Sequence, residues 1–148
     1  MVNTLRTTRS PAHIAFRLMR SWRAAVLLAL VVGVVGTSGC RTAPIRDYSN
    51  QPVPAGATMA QVSEAIQGAG NSLGWAMKEE YPGMISGELF IRDHVAEIEV
   101  PYSTSGYSIR YKRSKNLKYN AAKKTIHSNY NGWVENLDNG IRTRLARL

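Results

Sequence analysis

Residues 85–100, ISGELFIRDHVAEIEV, decide the fold. Ile85, Gly87, Leu89 and Ile91 alternate with Ser86, Glu88 and Phe90. Beyond a turn that includes Asp93, Ala96, Ile98 and Val100 alternate with Glu97 and Glu99. A period of two with one charged face is the pattern of an antiparallel sheet covered on one side. A further run downstream repeats it, with Tyr107, Ile109 and Tyr111 against Ser108, Arg110 and Lys112. Upstream, Gly74, Trp75, Ala76, Met77 and Lys78 form a short strand stopped by Pro82-Gly83, a strong turn pair. Pro101 has no N–H for a central ladder, so it marks a strand end or an edge.

Helical spacing flanks these strands. Thr58 is placed to cap a helix, and Gln61 supplies the reciprocal position three residues on. Met59, Val62, Ile66, Ala69 and Leu73 then recur at steps of three and four, while Gly68 and Gly70 weaken the helix end. At the other end, Tyr130, Trp133, Val134, Leu137, Ile141 and Leu145 share one helical face. Asn129 or Asn131 is placed to cap its start, and Arg142, Arg144 and Arg147 suit the negative end of its dipole. The order predicts an α+β two-layer sandwich: an antiparallel sheet of about four strands, with an N-terminal and a C-terminal helix packed on one face.

Residues 1–39 read as targeting sequence. Arg6, Arg9, Arg17, Arg20 and Arg23 precede an apolar run at 24–35, and no charge occurs between Arg23 and Arg41. Gly36, Thr37, Ser38, Gly39 and Cys40 then resemble the bacterial lipobox, with Thr37 where a larger aliphatic residue is usual. The resemblance implies diacylglyceryl transfer to Cys40, cleavage before it, and acylation of the new amino terminus with a palmitate-type chain. Two acyl chains make a stable anchor where one is marginal. The competing reading is an uncleaved membrane span, for which the uncharged run is short. Met19 followed by Arg20 would begin a signal of ordinary length, which makes Met19 the expected translation start. Residues 40–58, with Pro44, Pro52 and Pro54 and no hydrophobic period, read as a lipidated flexible tether, leaving 59–148 as a single periplasmic domain.

Charge narrows the partner classes. Five of the nineteen basic residues lie before the apolar run, which leaves fourteen against ten acidic side chains in the mature part, a formal +4. That is weak for a nucleic-acid binder, and export disfavours nucleic acid further. Within residues 110–124 there are seven bases and no acid: Arg110, Lys112, Arg113, Lys115, Lys118, Lys123 and Lys124. Residues 79–99 carry Glu79, Glu80, Glu88, Asp93, Glu97 and Glu99 against Arg92 alone. The basic segment is a solvated, solubilising loop, a contact for anionic lipid headgroups, or a dock for an acidic envelope protein.

No catalytic signature is present, and neither a cofactor nor a metal is expected. His94 reads as a sheet-edge histidine satisfied by a carbonyl or by Asp93, and His127 as a hydrogen-bonding group at the helix entry. A metal shared by the two would need a third ligand. Trp75, Tyr107, Tyr111 and Trp133 would line any pocket between sheet and helices, although such spacing more often marks core.

From Tyr107 onward the chain resembles a family of small, uncharacterised proteobacterial lipoproteins. The likeness rests on Tyr107-Ser108-Ile109-Arg110-Tyr111, Ser114-Lys115-Asn116-Leu117-Lys118-Tyr119, Ile126-His127 and Tyr130-Asn131-Gly132-Trp133-Val134, with Leu137 and Ile141. Gly74-Trp75 and Arg92-Asp93-His94 belong to the same pattern. The resemblance implies a secreted, lipid-anchored single domain and no assigned activity. The expectation is a non-enzymatic envelope module, attached to the membrane through the lipid on Cys40. Because Arg41 is not the aspartate of inner-membrane retention, the periplasmic face of the outer membrane is the expected site. The alternative class is a small ligand-binding domain or enzyme.

Overall fold

The computed structural model describes residues 41–148, so the expected signal, the Met19 start and Cys40 itself lie outside the described residues. The chain runs β1 (Thr42–Pro44), β2 (Tyr48–Pro52), α1 (Met59–Ser72), β3 (Trp75–Tyr81), β4 (Met84–Ile91), β5 (His94–Pro101), β6 (Gly106–Lys115), β7 (Thr125–His127) and α2 (Ser128–Leu145). Strands β3 to β6 form an antiparallel meander, and β2 joins its outer edge to give the order β2-β6-β5-β4-β3. A second, two-stranded sheet pairs β1 with β7. The class is α+β as expected. The main sheet has five strands rather than about four.

The alternation read from sequence is the alternation of burial. Ile85 and Leu89 of β4, Ala96, Ile98 and Val100 of β5, and Tyr107 and Ile109 of β6 are buried. They belong to one cluster with Val62, Ile66 and Ala69 of α1 and with Tyr130, Val134, Leu137, Ile141 and Leu145 of α2. Fully burying each of the valine, leucine and isoleucine side chains contributes about 1.5–3 kcal/mol before entropy is counted. Helix α1 packs against α2 and β3. Trp75 is in the core, whereas Trp133 is only partly buried at its margin and Leu73 is exposed beyond the helix end.

Local chemistry sets the boundaries. The Thr58 hydroxyl accepts from the Gln61 amide at 3.2 Å, and Gln61 Oε1 accepts from the Thr58 amide at 2.9 Å, a complete capping box. The β3–β4 turn is Pro82-Gly83, with Gly83 at φ +98°, a conformation an L side chain resists. Gly70 does not end α1 early. A Cβ there would lie 2.4 Å from Met77 Cγ and Sδ, so the glycine admits Met77, which also lies over Gly87. The capping group of α2 is His127, whose Nδ1 accepts from the Asn129 amide at 3.3 Å, rather than Asn129 or Asn131.

Residues 41–58 are not a flexible tether. They supply β1 and β2, joined by a clip onto α2: Asn131 Nδ2 donates to the Pro44 carbonyl at 2.8 Å, the Arg46 amide donates to Asn131 Oδ1 at 3.0 Å, and Arg46 pairs with Glu135 at 2.9 Å. Pro44 and Pro52 end their strands, where a missing N–H costs no ladder bond. The β2–β6 ladder is interrupted between Tyr48 and Gln51, where Asn50 adopts φ +52° and its amide donates to Ser108 Oγ at 3.0 Å. Among the described residues no helix is long and apolar enough to cross a membrane.

Candidate functional site

The seven bases of residues 110–124 divide into two groups. Arg110, Lys112 and Arg113 lie on the last full strand of the meander, beside acids of β5. Glu99 faces Arg110 in register and Glu97 faces Arg113. A bulge between Glu97 and Ile98 leaves Lys112 without an opposite partner, and its ammonium lies 3.2 Å from Glu99. Arg113 Nε donates to Glu97 at 2.5 Å, and this bond, with the charge of Glu97, holds the guanidinium pKa above its ordinary value. Charges that are segregated along the chain are therefore interleaved across the sheet.

Lys115, Lys118, Lys123 and Lys124 form the second group, exposed and without an acidic partner within 4 Å among the described residues. Lys115 ends β6, and the loop that carries the other three is fixed. Leu117 is 1% exposed and sits in the core. Tyr119 packs on Tyr111 with ring centres 4.5 Å apart, and Tyr111 meets the edge of Tyr130 at 5.6 Å. Asn120 bridges to Thr125, and Asn120 Oδ1 accepts from the Lys123 amide at 2.9 Å to shape the turn between them. Asn116, Lys118 and Lys124 all have positive φ, at 59°, 52° and 48°. Asparagine tolerates this conformation, but for lysine it costs about 1–2 kcal/mol. The fold thus holds two strained lysines on a pinned loop.

This loop and the chain entry share one end of the domain. The His127 amide donates to the Leu117 carbonyl at 2.8 Å on one side of β7. On the other side the Ser128 amide donates to the Arg41 carbonyl at 2.8 Å, continuing the β1–β7 ladder. Arg41 therefore lies about two strand spacings, or roughly 10 Å, from Leu117. The β4–β5 turn is at this end too. A His94 ring nitrogen bonds the Asn116 carbonyl at 3.0 Å, and Asn116 Nδ2 donates to the Asp93 carbonyl at 2.8 Å. The His94 and His127 rings stack with centres 6.2 Å apart. No group of three metal-ligating side chains occurs among the described residues.

Two arrangements had no local signal in the sequence. An open cleft of about 650 Å³ lies between α1 and β3, lined by Ser63, Gln67, Glu79, Pro82 and Tyr102 among others. The Tyr102 hydroxyl donates to one Glu79 oxygen at 2.5 Å and the Ser63 hydroxyl to the other at 2.7 Å. The Tyr102 bond and then the Ser63 bond hold the Glu79 carboxyl below its ordinary pKa, so it is a carboxylate at neutral pH. Both hydroxyls donate to the carboxylate, an arrangement that presents a fixed negative charge to the cleft. None of the expected lining residues Trp75, Tyr107, Tyr111 and Trp133 borders this cleft.

The second is Asp138, 1% exposed on α2. Its carboxylate accepts from the buried Tyr107 hydroxyl at 2.8 Å and from Arg142 Nε at 2.8 Å, and Arg142 donates onward to Gln51 at 2.5 Å. Burial first, then the Asp138 bond, pushes the Tyr107 pKa well up. The network ties α2 to β6 and to β2. No family model, no curated protein and no solved structure matches the chain.

Proposed function

We propose that the protein is a non-enzymatic, lipid-anchored cell-envelope lipoprotein, a binding or scaffolding module held at the periplasmic face of the outer membrane by acylation of Cys40. The observation that carries this reading is a coincidence of boundaries. The described fold begins at once, with β1 at Thr42–Pro44, two residues after the position where a lipobox-type signal would be cut. Both helices are taken to cover one face of the sheet, which leaves Glu97, Glu99, Arg110, Lys112 and Arg113 on the open face as a near-neutral, solvated surface. The contact for anionic envelope components or an acidic protein then narrows to Lys115, Lys118, Lys123 and Lys124.

Metabolic labelling with an alkyne-tagged fatty acid tests the anchor. Wild type takes up the label and fractionates with outer membranes, whereas Cys40→Ser takes up none and is released with the soluble fraction. Label retained by Cys40→Ser, or an unlabelled wild type, overturns the reading. A second reading, a small ligand-binding domain or enzyme, draws on the Glu79 cleft, whose volume is in the range of small-molecule sites. Its fixed carboxylate favours a cationic ligand, and Glu79→Gln would abolish chemical-shift changes caused by such a compound at Ser63 and Gln67.

A further inference from the structure

We infer that the end of the domain carrying Arg41, Lys115, Lys118, Lys123 and Lys124 lies against the membrane and binds anionic lipid headgroups; this rests on the proposed acylation of Cys40. Three features meet at this end. The first is the chain entry. Cys40 precedes Arg41 by one peptide bond, and the Arg41 carbonyl is held by the Ser128 amide at the start of α2. An acyl chain on Cys40 would therefore reach the bilayer within a residue of the folded surface. With no slack between lipid and fold, the surface around Arg41 must face the headgroups.

Charge is the second feature. Within residues 90–94 and 114–128 the bases are Arg92, Lys115, Lys118, Lys123 and Lys124, and Asp93 is the sole acid. Each base near an anionic surface adds attraction that decays within a Debye length, so it acts only when the surface is held close. The anchor supplies that proximity. Further along β6, Lys112 and Arg113 are already matched by Glu99 and Glu97 and Arg110 alone has no ion pair among the described residues, so most of the segment's unmatched charge is concentrated where the lipid would enter.

The third feature is apolar. Phe90 is 61% exposed, and the register Phe90–Val95–Lys115 places it in one row with a free lysine on the open side of the sheet. Tyr119, 41% exposed, lies on the basic loop itself. Exposed aromatic rings beside lysines suit the boundary between headgroups and acyl chains, where one end of the ring is apolar and the surroundings are wet. Tyr119 also packs on Tyr111, but a merely solubilising surface has no use for the bared ring of Phe90.

The test uses the full lipidated protein reconstituted into vesicles of phosphatidylcholine, with or without about one third phosphatidylglycerol. A membrane-impermeant amine reagent is applied, and each lysine is quantified by mass spectrometry. Lys78, on β3 at the opposite edge of the sheet with its side chain 74% exposed, is the internal reference. Labelling of Lys115, Lys118, Lys123 and Lys124 relative to Lys78 should fall at least threefold or so in the anionic vesicles, and recover in about 1 M salt, where the Debye length is near 3 Å. The variant Lys118→Glu/Lys123→Glu/Lys124→Glu should still float with vesicles yet label Lys115 equally in both compositions. Flotation with equal labelling of wild type in both overturns the headgroup contact, leaves the anchor intact and turns the surface toward an acidic protein. Failure to float overturns the anchor, and the inference with it.

Discussion

Asp138→Ala would leave a buried phenol without an acceptor, and its cost can be worked from the geometry. The Tyr107 hydroxyl, on a side chain 1% exposed, has its 2.8 Å bond to Asp138 Oδ1 and only a long 3.5 Å approach to the Asp138 carbonyl. Losing a hydrogen bond to a charged group costs about 1.5–3 kcal/mol, and a stranded buried donor falls in the same range. Arg142 adds little, because its side chain is half exposed and water replaces the lost carboxylate. Asp138→Ala should therefore destabilise the domain by about 3 kcal/mol. Tyr107→Phe removes the donor but leaves Asp138 with Arg142, and should cost about 2 kcal/mol. In the double variant no hydroxyl is stranded, so its cost should fall short of the sum by about 1–2 kcal/mol. Urea unfolding of the mature Cys40→Ser chain, followed by tryptophan fluorescence across the cycle, measures all four states. Costs that add to within about 0.5 kcal/mol would refute the coupling. An Asp138→Ala loss below about 1 kcal/mol would refute the claim that this carboxylate holds α2 to β6.

Gly70→Ala sets helix propensity, a gain of up to about 1 kcal/mol, against a Cβ 2.4 Å from Met77. The clash should win by about 1–2 kcal/mol, with Met77→Ala relieving it, and a stabilised single variant in thermal melts would refute the packing. Lys124→Gly removes left-handed strain and should raise stability by about 1 kcal/mol while lowering the protection of its neighbours on anionic vesicles; a loss of stability would show that its conformation is unstrained. Burial raises the pKa values of both Tyr107 and Tyr130. Because the folded values exceed the unfolded one near 10, stability from these groups is intact below about pH 10. Above it, stability falls by up to about 1.4 kcal/mol per pH unit for each tyrosine. Urea midpoints between pH 9 and 11 should therefore drop, and Tyr107→Phe should drop less steeply.

What could be read from sequence was what local period encodes. The meander from Trp75 to Lys115, the Thr58–Gln61 box and the apolar face of α2 depend on neighbours two to four residues apart. β1 and β2 were hidden because their residues, TAP and YSNQP, have no apolar alternation, and their prolines imitate a linker. Those strands exist because β7 and β6 offer edges far away in sequence, an interaction with no local trace. Asp138 was hidden by a related effect: one turn after Val134 it occupies a core position, but its partner Tyr107 is 31 residues distant. The basic segment was visible as composition. Its division was not, since Glu97 and Arg113 meet only through the β5–β6 register.

The β1–β7 pairing also bears on how long such a protein stays where it is put. A domain hung on a loose leader can be released from its lipid by a single cut, because proteases need an extended, accessible stretch of backbone. Here the Arg41 carbonyl, the Ile45, Arg46 and Val53 amides and the two strands among them are all bonded to the body of the domain. For a chain anchored through Cys40, shedding would require β1 and β2 to peel away first, baring the edge of β6 and inviting aggregation. Release and unfolding would then be one event, and the residence time of a module anchored in this way would be set by the stability of its fold.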